Sequence, residues 1–337
     1  MNLLLSLRLP HLLPTVRRLP RPNMPGRPDT FDSFHGQSQA LAQLRVSVKA
    51  AKKLGRPHSH TLLVGSAGLG KSLLAGHVLA NELGVPCVTI NCASVERQED
   101  ILPTVSTMKA GSILFLDEIH ALPRNIQEVF YPVLQESQLS IVLGEDDKKQ
   151  ILNITLPKFC VTAATTREGL LPEPLRDRFR QTIQLEPYSD DELVQVLSWL
   201  AANSEAQSIT QEAAEILAVP CHGTARKAVS FIESAIETAA AEDAPSLAIT
   251  AAIADRTLAR LRYAPTGLSC QEVKLLEVLA RSRGAVGLNT LAGIVDVESA
   301  SIEDVYEPWL LRQGLMEKTP GGRVITERGR GVLKAST

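Results

Sequence analysis

No two cysteines of this sequence are spaced as CxxC, and no histidines stand where they would complete a metal site with them. The five that occur (Cys87, Cys92, Cys160, Cys221, Cys270) lie mostly inside apolar runs, which reads as buried thiols in a reducing, cytoplasmic setting. Charge of one sign is not in excess: 35 Lys and Arg against 37 Asp and Glu leave a net charge of −2, so a nucleic-acid surface would have to be local. Long unbroken apolar runs are missing as well. The opening MNLLLSLRLPHLLPTVRRLP is interrupted by Arg8, Pro10 and Pro14, which rules out a bilayer span and leaves no clear secretory core. It carries four arginines and no acid in its first 23 residues, but its prolines oppose the amphipathic helix of a transit peptide. Residues 1–25 are therefore read as an extension outside the fold, flexible or a spurious start ahead of Met24. Repeats, heptads and low-complexity tracts are absent, which excludes solenoids and coiled coils.

What remains is a globular composition, 44% hydrophobic and 21% charged, in a chain long enough for two or three domains. Phe31 to Gly55 reads as a helix ending in glycine. From Thr61 onward, strand-length apolar runs (TLLV, CVTIN, SILFL, KFCVTAA, QTIQL) alternate with helical stretches, the pattern of a mainly parallel sheet with helices on both faces. Residues 138–156 interrupt it as a protruding hairpin. The predicted fold class is α/β: a domain of parallel sheet and helices over 26–187, a small helical domain over 188–263, and a third region over 264–337 with three helices and an apolar–turn–apolar tail.

Three strand ends carry chemistry. After TLLV comes Gly65-SAGL-Gly70-Lys71-Ser72, a loop whose N–H groups wrap a polyphosphate, with Gly68 inside it and Leu73 opening the next helix. Lys71 is placed for the β- and γ-phosphates, Ser72 for Mg²⁺. The run SILFL ends in Asp117-Glu118. Asp117 suits a metal held through water, and Glu118 suits polarisation of the attacking water. The run KFCVTAA ends in Thr165 and Thr166, hydroxyls placed to sense a γ-phosphate. Downstream, Arg176 and Arg178 read on composition alone as exposed helix arginines. Arg226 opens a helix, where its charge opposes the macrodipole unless an anion is present.

In order, GRPDTFDSFHGQ, LLVGSAGLGKS, LFLDEIHALP, AATTREGLLPEPLRDRF, HGTARKA and VYEPWLLRQGLMEKTPGGRV resemble the AAA+ ATPases and, within them, the RuvB family of Holliday-junction branch-migration motors. The resemblance covers about residues 26–333. It implies an AAA+ P-loop domain, a helical lid, a winged-helix domain and a homo-hexameric ring using ATP and Mg²⁺ on duplex or junction DNA. A RuvA-like protein is the expected partner, with a RuvC-like resolvase as a further one, and no membrane. By the same resemblance Lys71, Ser72, Asp117 and Glu118 are the Walker residues and Thr166 the first sensor. Arg178 is the arginine finger with Arg176 as alternative, Arg226 is the second sensor, and His35 and Gly36 lie near adenine. Ile141 and Leu143, or Ile151 and Ile154, are the candidate apolar contacts of the hairpin with the RuvA-like partner. Arg323 matches a DNA-phosphate contact, and Arg312, Lys318 and Arg328 add to a positive field around it. The competing function is an AAA+ switch or loader that assembles on a DNA-bound partner without translocating. The chain departs from the family pattern at Gly321, where an arginine is usual, and at Ser66-Ala67 and Ser72-Leu73, where proline and threonine pairs are usual.

Overall fold

Successive residues of the buried strands serve two different cores, and that alternation organises the molecule. The computed structural model describes residues 27–143, 150–206, 208–242 and 247–336, so the extension expected over 1–25 lies outside it. Five strands form one parallel sheet: β1 (Thr61–Val64), β2 (Cys87–Asn91), β3 (Ile113–Asp117), β6 (Cys160–Thr165) and β7 (Gln181–Gln184), in the order β2-β3-β6-β1-β7. Leu63, Ile113, Phe115 and Ala164 point to one face, whereas Leu62, Leu114, Leu116 and Val161 point to the other. Both faces are covered, so the strands read as continuous apolar runs.

The two cores differ in extent. One is closed by the helix Arg124–Glu136 and the segment 92–108. The other includes the helix Ser38–Leu54 and continues without a break into the lid, through Leu193, Leu197, Leu217, Phe231 and Leu258. The change from strands to helices near residue 188 is thus a change of secondary structure but not of core. The lid helices are Asp190–Ala202, Gln211–Ala218, Ala225–Ala241 and Ala251–Arg260. Ser189 and Glu192 form a capping box at the start of the first, and Thr210 and Thr250 cap the second and fourth.

The first predicted helix is shorter than the sequence indicates. Residues 31–37 form turns, and Gln37 takes a left-handed conformation (φ 55°) before the helix begins at Ser38. Its side chain instead ties this segment to the lid connector: Gln37 Nε2 donates to the Glu186 carbonyl at 2.6 Å, and Glu186 N donates back to Gln37 Oε1 at 3.1 Å.

The hairpin pairs β4 (Gln138–Leu143) with β5 (Gln150–Thr155) in antiparallel register. The side chains of Ile141, Leu143 and Ile151 lie outside the described residues. Ile154 is half-buried against the core that packs on the helix Arg124–Glu136, and its cross-strand neighbour Leu139 is buried in that core.

The C-terminal domain has its own core. The helices Cys270–Arg281 and Leu288–Val295 and a third helical segment over 299–312 precede β8 (Met316–Thr319) and β9 (Gly322–Ile325), which form the wing. Val286 adds a third edge, exchanging backbone hydrogen bonds with Arg323 at 2.9 and 2.8 Å. A Cβ at Gly322 (φ 133°) would lie 2.3 Å from the Val286 carbonyl oxygen, so this close approach requires glycine.

Candidate functional site

β3, β6 and β1 are neighbours in the sheet, so their carboxyl ends bring the acidic pair, the threonines and the glycine loop side by side. The loop after β1 leads into a helix at Lys71 whose second turn, Leu74–Val78, is π-helical, a distortion often found at functional sites. Lys71 is buried, and its ammonium donates to the carbonyls of Gly65 and Ser66 at 2.7 and 2.8 Å. Burial holds the Lys71 pKa below its ordinary value, opposed by the charges of Glu118 and Asp117. The Ser72 hydroxyl donates to both Asp117 oxygens at 3.1 and 3.0 Å. Burial pushes the Asp117 carboxyl up, and that hydrogen bond works against it.

Glu118 sits in a left-handed conformation (φ 53°), which turns the chain sharply at the strand end. Its Oε2 accepts from Thr166 N and from Thr166 Oγ1, both at 3.0 Å. His120 Nδ1 lies 3.2 Å from the same oxygen and 3.0 Å from Thr165 Oγ1. The Thr165 hydroxyl also accepts from Arg167 N at 3.1 Å, which ties it into the same hydrogen-bonded group.

A cleft of about 760 Å³ opens over these residues, and its two ends differ. The polar end holds Gly68, Gly70, Lys71, Ser72, Asp117, Glu118 and Arg226. The apolar end is walled by Trp199, Leu200, Val229, Ile232 and Ile236 of the lid, with His35 tilted against Trp199 at 6.0 Å. That polarity fits a nucleotide, phosphates on the loop and base under the lid. The loop and lid also touch directly: Arg226 N donates to the Gly68 carbonyl at 3.1 Å, and a Cβ on Gly68 (φ 80°) would stand 2.5 Å from Thr224 Cγ2. Leu73 lines the cleft. Gly36 packs instead against the Tyr188 ring, whose hydroxyl donates to the Leu69 carbonyl at 3.2 Å, so it positions the site from behind.

Sequence reasoning missed Trp199, Tyr188 and His120. Only His120 carried a local signal, two residues after the acidic pair.

Arg176 and Arg178 are not among the residues lining this cleft. The Arg178 guanidinium lies 4.6 Å from the Tyr131 ring centroid and donates to the Pro174 carbonyl. The Nε atoms of both arginines are buried without a partner among the described residues.

Three of the four cations expected to form an open field on the C-terminal domain have protein partners. Arg323 donates through Nε to Glu307 and through Nη2 to Glu303 at 3.0 Å. Lys318 Nζ lies 2.6 Å from Glu307 Oε2. Arg312 Nη2 donates to the His222 carbonyl at 3.2 Å. For Arg323 and Lys318 the physical reason is Glu307, whose side chain is 1% exposed and needs counter-charge. Burial would raise its pKa, but the bonds from Arg323 and Lys318 win and hold it low. Arg328 is exposed.

The lid meets the C-terminal domain through a buried polar contact close to Arg226. The His222 ring stacks on Trp309, with centroids 3.7 Å apart. Its Nε2 donates to the Gly267 carbonyl at 3.1 Å, and its Nδ1 accepts from Lys227 Nζ at 2.9 Å. Burial and then the Lys227 charge push the His222 pKa down to about 3, so the ring is neutral. Glu272 Oε1, 3.3 Å from Nδ1, therefore draws its counter-charge from Lys227 and not from the ring. A second tie joins Arg167, just past β6, to Asp304 at 3.1 Å.

The sheet order, loop, acidic pair, threonines and lid together define a P-loop ATPase of the AAA+ class with a winged-helix domain. Residues 26–185 match the family model described as the Holliday junction DNA helicase RuvB P-loop domain, and residues 265–334 match the RuvB C-terminal winged helix domain. The chain is 35% identical over 307 residues to the Holliday junction branch migration complex subunit RuvB of Campylobacter fetus, covering 91% of this chain and 88% of the relative. It is 37% identical over 304 residues to the protein of that name from Oleidesulfovibrio alaskensis, covering 90% and 94%. Among solved structures it resembles the Thermotoga maritima RuvB Holliday junction branch migration motor, with TM-score 0.78, 32% identity, and coverage of 91% of this chain and 98% of that one. The chain belongs to the RuvB family.

Proposed function

We propose that this protein is an ATP-driven DNA translocase that works as a cytoplasmic homo-hexameric ring, moving Holliday junctions with a RuvA-like partner and handing them to a RuvC-like resolvase. The observation that carries the reading is the division of labour around the cleft. One chain supplies the loop, Asp117, Glu118, Thr166 and Arg226, while Arg176 and Arg178 lie outside its own cleft, as a finger serving a neighbouring subunit would. The winged-helix domain, tied to both the lid and the β6 end, gives the ATPase something to move. Among the described residues no helix is long and apolar enough to cross a membrane.

Within the site, Lys71 and the loop N–H groups bind the phosphates, and Trp199 and His35 flank the base. Among the described residues no three His, Cys, Asp or Glu side chains cluster as a metal site, so Mg²⁺ would be held by Ser72 and Asp117 together with nucleotide oxygens. Bound there, Mg²⁺ would neutralise charge developing on the phosphates. Glu118 orients and polarises the attacking water, and a neighbour's Arg178 stabilises charge on the transferred group. Arg226 joins the lid to the phosphate end, so lid position follows the nucleotide.

The test is ATPase rate per subunit against protein concentration, with and without duplex DNA. A cooperative rise that DNA stimulates is expected. A rate flat in both variables would remove the ring-motor reading and leave a self-contained ATPase switch.

A further inference from the structure

We infer that the wing's DNA-phosphate contact is made by Arg283, on the loop beside the hairpin, while Arg323 holds the wing in place. The inference rests on the DNA-translocase reading above. Arg323 is 11% exposed and engages two carboxylates, Glu303 and the buried Glu307. Turning it outward to a phosphate would leave Glu307 with Lys318 as its sole hydrogen-bonded cation, and stripping a partner from a buried carboxylate is strongly destabilising. Lys318 is bound to the same acid, so it is no freer to leave. Arg312 faces the lid, Arg281 pairs with Glu277 at 3.1 Å, and Arg330 donates to the Ala280 carbonyl at 3.0 Å.

Arg283 differs from all of these. It is exposed, and among the described residues it has no hydrogen-bond or ion-pair partner. Its loop is fixed against the wing: three residues on, Val286 exchanges backbone hydrogen bonds with Arg323, and a Cβ at Gly321 would lie 3.4 Å from the Ala285 Cβ. Arg283 thus stands beside the wing tip on a backbone held at both sides of the contact. Lys274 and Arg328 are also exposed, but they lie on helices at residues 270–281 and 327–336, without this attachment to the tip. The tip turn Thr319-Pro320-Gly321-Gly322 and the loop 282–287 contain no acid, and the two glycines put no side chain between the loop and an approaching strand. An arginine so placed grips a backbone phosphate through two parallel N–H donors. Such a contact carries no sequence information, which suits a motor that steps along any duplex. The positive charge missing at position 321 is supplied from the adjacent loop.

The experiment is equilibrium binding of a fluorescent mixed-sequence duplex by the full chain across a series of salt concentrations. Arg283→Gln should lower affinity several-fold and make the slope of log K against log salt shallower by about one. Its ATPase rate without DNA should be unchanged, and Arg283→Lys should recover most of the slope. Position 321 has an ordinary backbone conformation and van der Waals room, so Gly321→Arg in the Arg283→Gln background should restore the lost contact. Wild-type affinity and slope in Arg283→Gln would overturn the inference while leaving the motor reading standing. Failure of Gly321→Arg to restore binding would overturn the placement at the wing tip. A wild-type protein that bound no duplex at all would overturn both.

Discussion

Thr166 spends both of its donors on one oxygen of Glu118, its backbone N–H and its hydroxyl each 3.0 Å from Oε2. A hydroxyl has one proton, so the Thr166 hydroxyl cannot serve this carboxylate and a γ-phosphate at the same time, and its turn to the phosphate would leave Glu118 only the backbone N–H. In the proposed mechanism, nucleotide arrival would thus loosen the hold of Thr166 on Glu118. Thr166→Val should cut single-turnover hydrolysis by about 100-fold, the usual cost of one transition-state donor. Nucleotide affinity should stay within a few-fold. A variant that hydrolyses normally would detach Thr166 from the chemistry.

Glu118→Gln keeps the shape of the site and removes the carboxylate proposed to polarise the water. Labelled-nucleotide binding should persist while steady-state hydrolysis falls by about 100-fold or more. Normal turnover would mean that another group polarises the water.

Arg178 and Arg176 are separated by a mixing experiment. If Arg178 is the finger, Arg178→Ala should bind nucleotide as the wild type does and lose about 1,000-fold in turnover, and doping it into wild-type protein should depress activity more than in proportion. Proportional loss on mixing, or the same poisoning by Arg176→Ala alone, would move the role to Arg176.

Trp199 walls the apolar end of the cleft, so its removal should act on the base and not on the phosphates. Trp199→Ala should weaken ATP and ADP alike by about tenfold, as expected for a lost aromatic contact and its buried area. Inorganic tripolyphosphate should be unaffected, and equal weakening of tripolyphosphate would place Trp199 elsewhere in the binding process.

His222 makes the junction between lid and C-terminal domain sensitive to acid. Its folded pKa is about 3 and its unfolded pKa about 6.5, so between those values the unfolded state binds the extra proton. Its contribution is complete above pH 6.5 and is lost as pH falls toward 3, by at most about 1.4 kcal/mol per pH unit. Lys227, Glu272 and Arg312 face the ring, and burial raises the Glu272 pKa, so its protonation opposes part of the loss. His222→Asn, a residue tolerant of the left-handed backbone there (φ 55°), should flatten melting temperature against pH between 6.5 and 4.5. An unflattened profile would assign the acid sensitivity to other groups.

The parts of the molecule that the sequence declared are those set by neighbours along the chain. The glycine loop, Asp117-Glu118 and Thr165-Thr166 each follow a run of apolar residues, and a parallel sheet necessarily lines up their carboxyl ends. The hairpin was legible as two apolar, β-rich segments on either side of a polar stretch, and they pair in antiparallel register. Residues joined across long separations were hidden. Nothing near Arg323 in the chain announces that Glu303 and Glu307, a full helix earlier, will claim it. Arg312 looked like an open cation because its acceptor, the His222 carbonyl, is 90 residues away. Trp199 reads as an ordinary apolar position of a lid helix until the fold lays that helix over the glycine loop. The core shared across residue 188 was hidden for the same reason, since periodicity marks a change of element and not which elements pack together.

The chain has two tryptophans, and both stand where parts of the motor meet. Trp199 lines the nucleotide cleft, and Trp309 stacks face to face on the neutral ring of His222 between lid and winged helix. Indole emission depends on contact with neighbouring rings and on water, so each is a built-in optical gauge of its own joint. With Trp309 replaced by phenylalanine, the remaining fluorescence reports nucleotide arrival. With Trp199 replaced, it reports whether the second joint opens. Recording the two after one mixing of protein with ATP would time the passage of a signal from cleft to winged helix without any added dye.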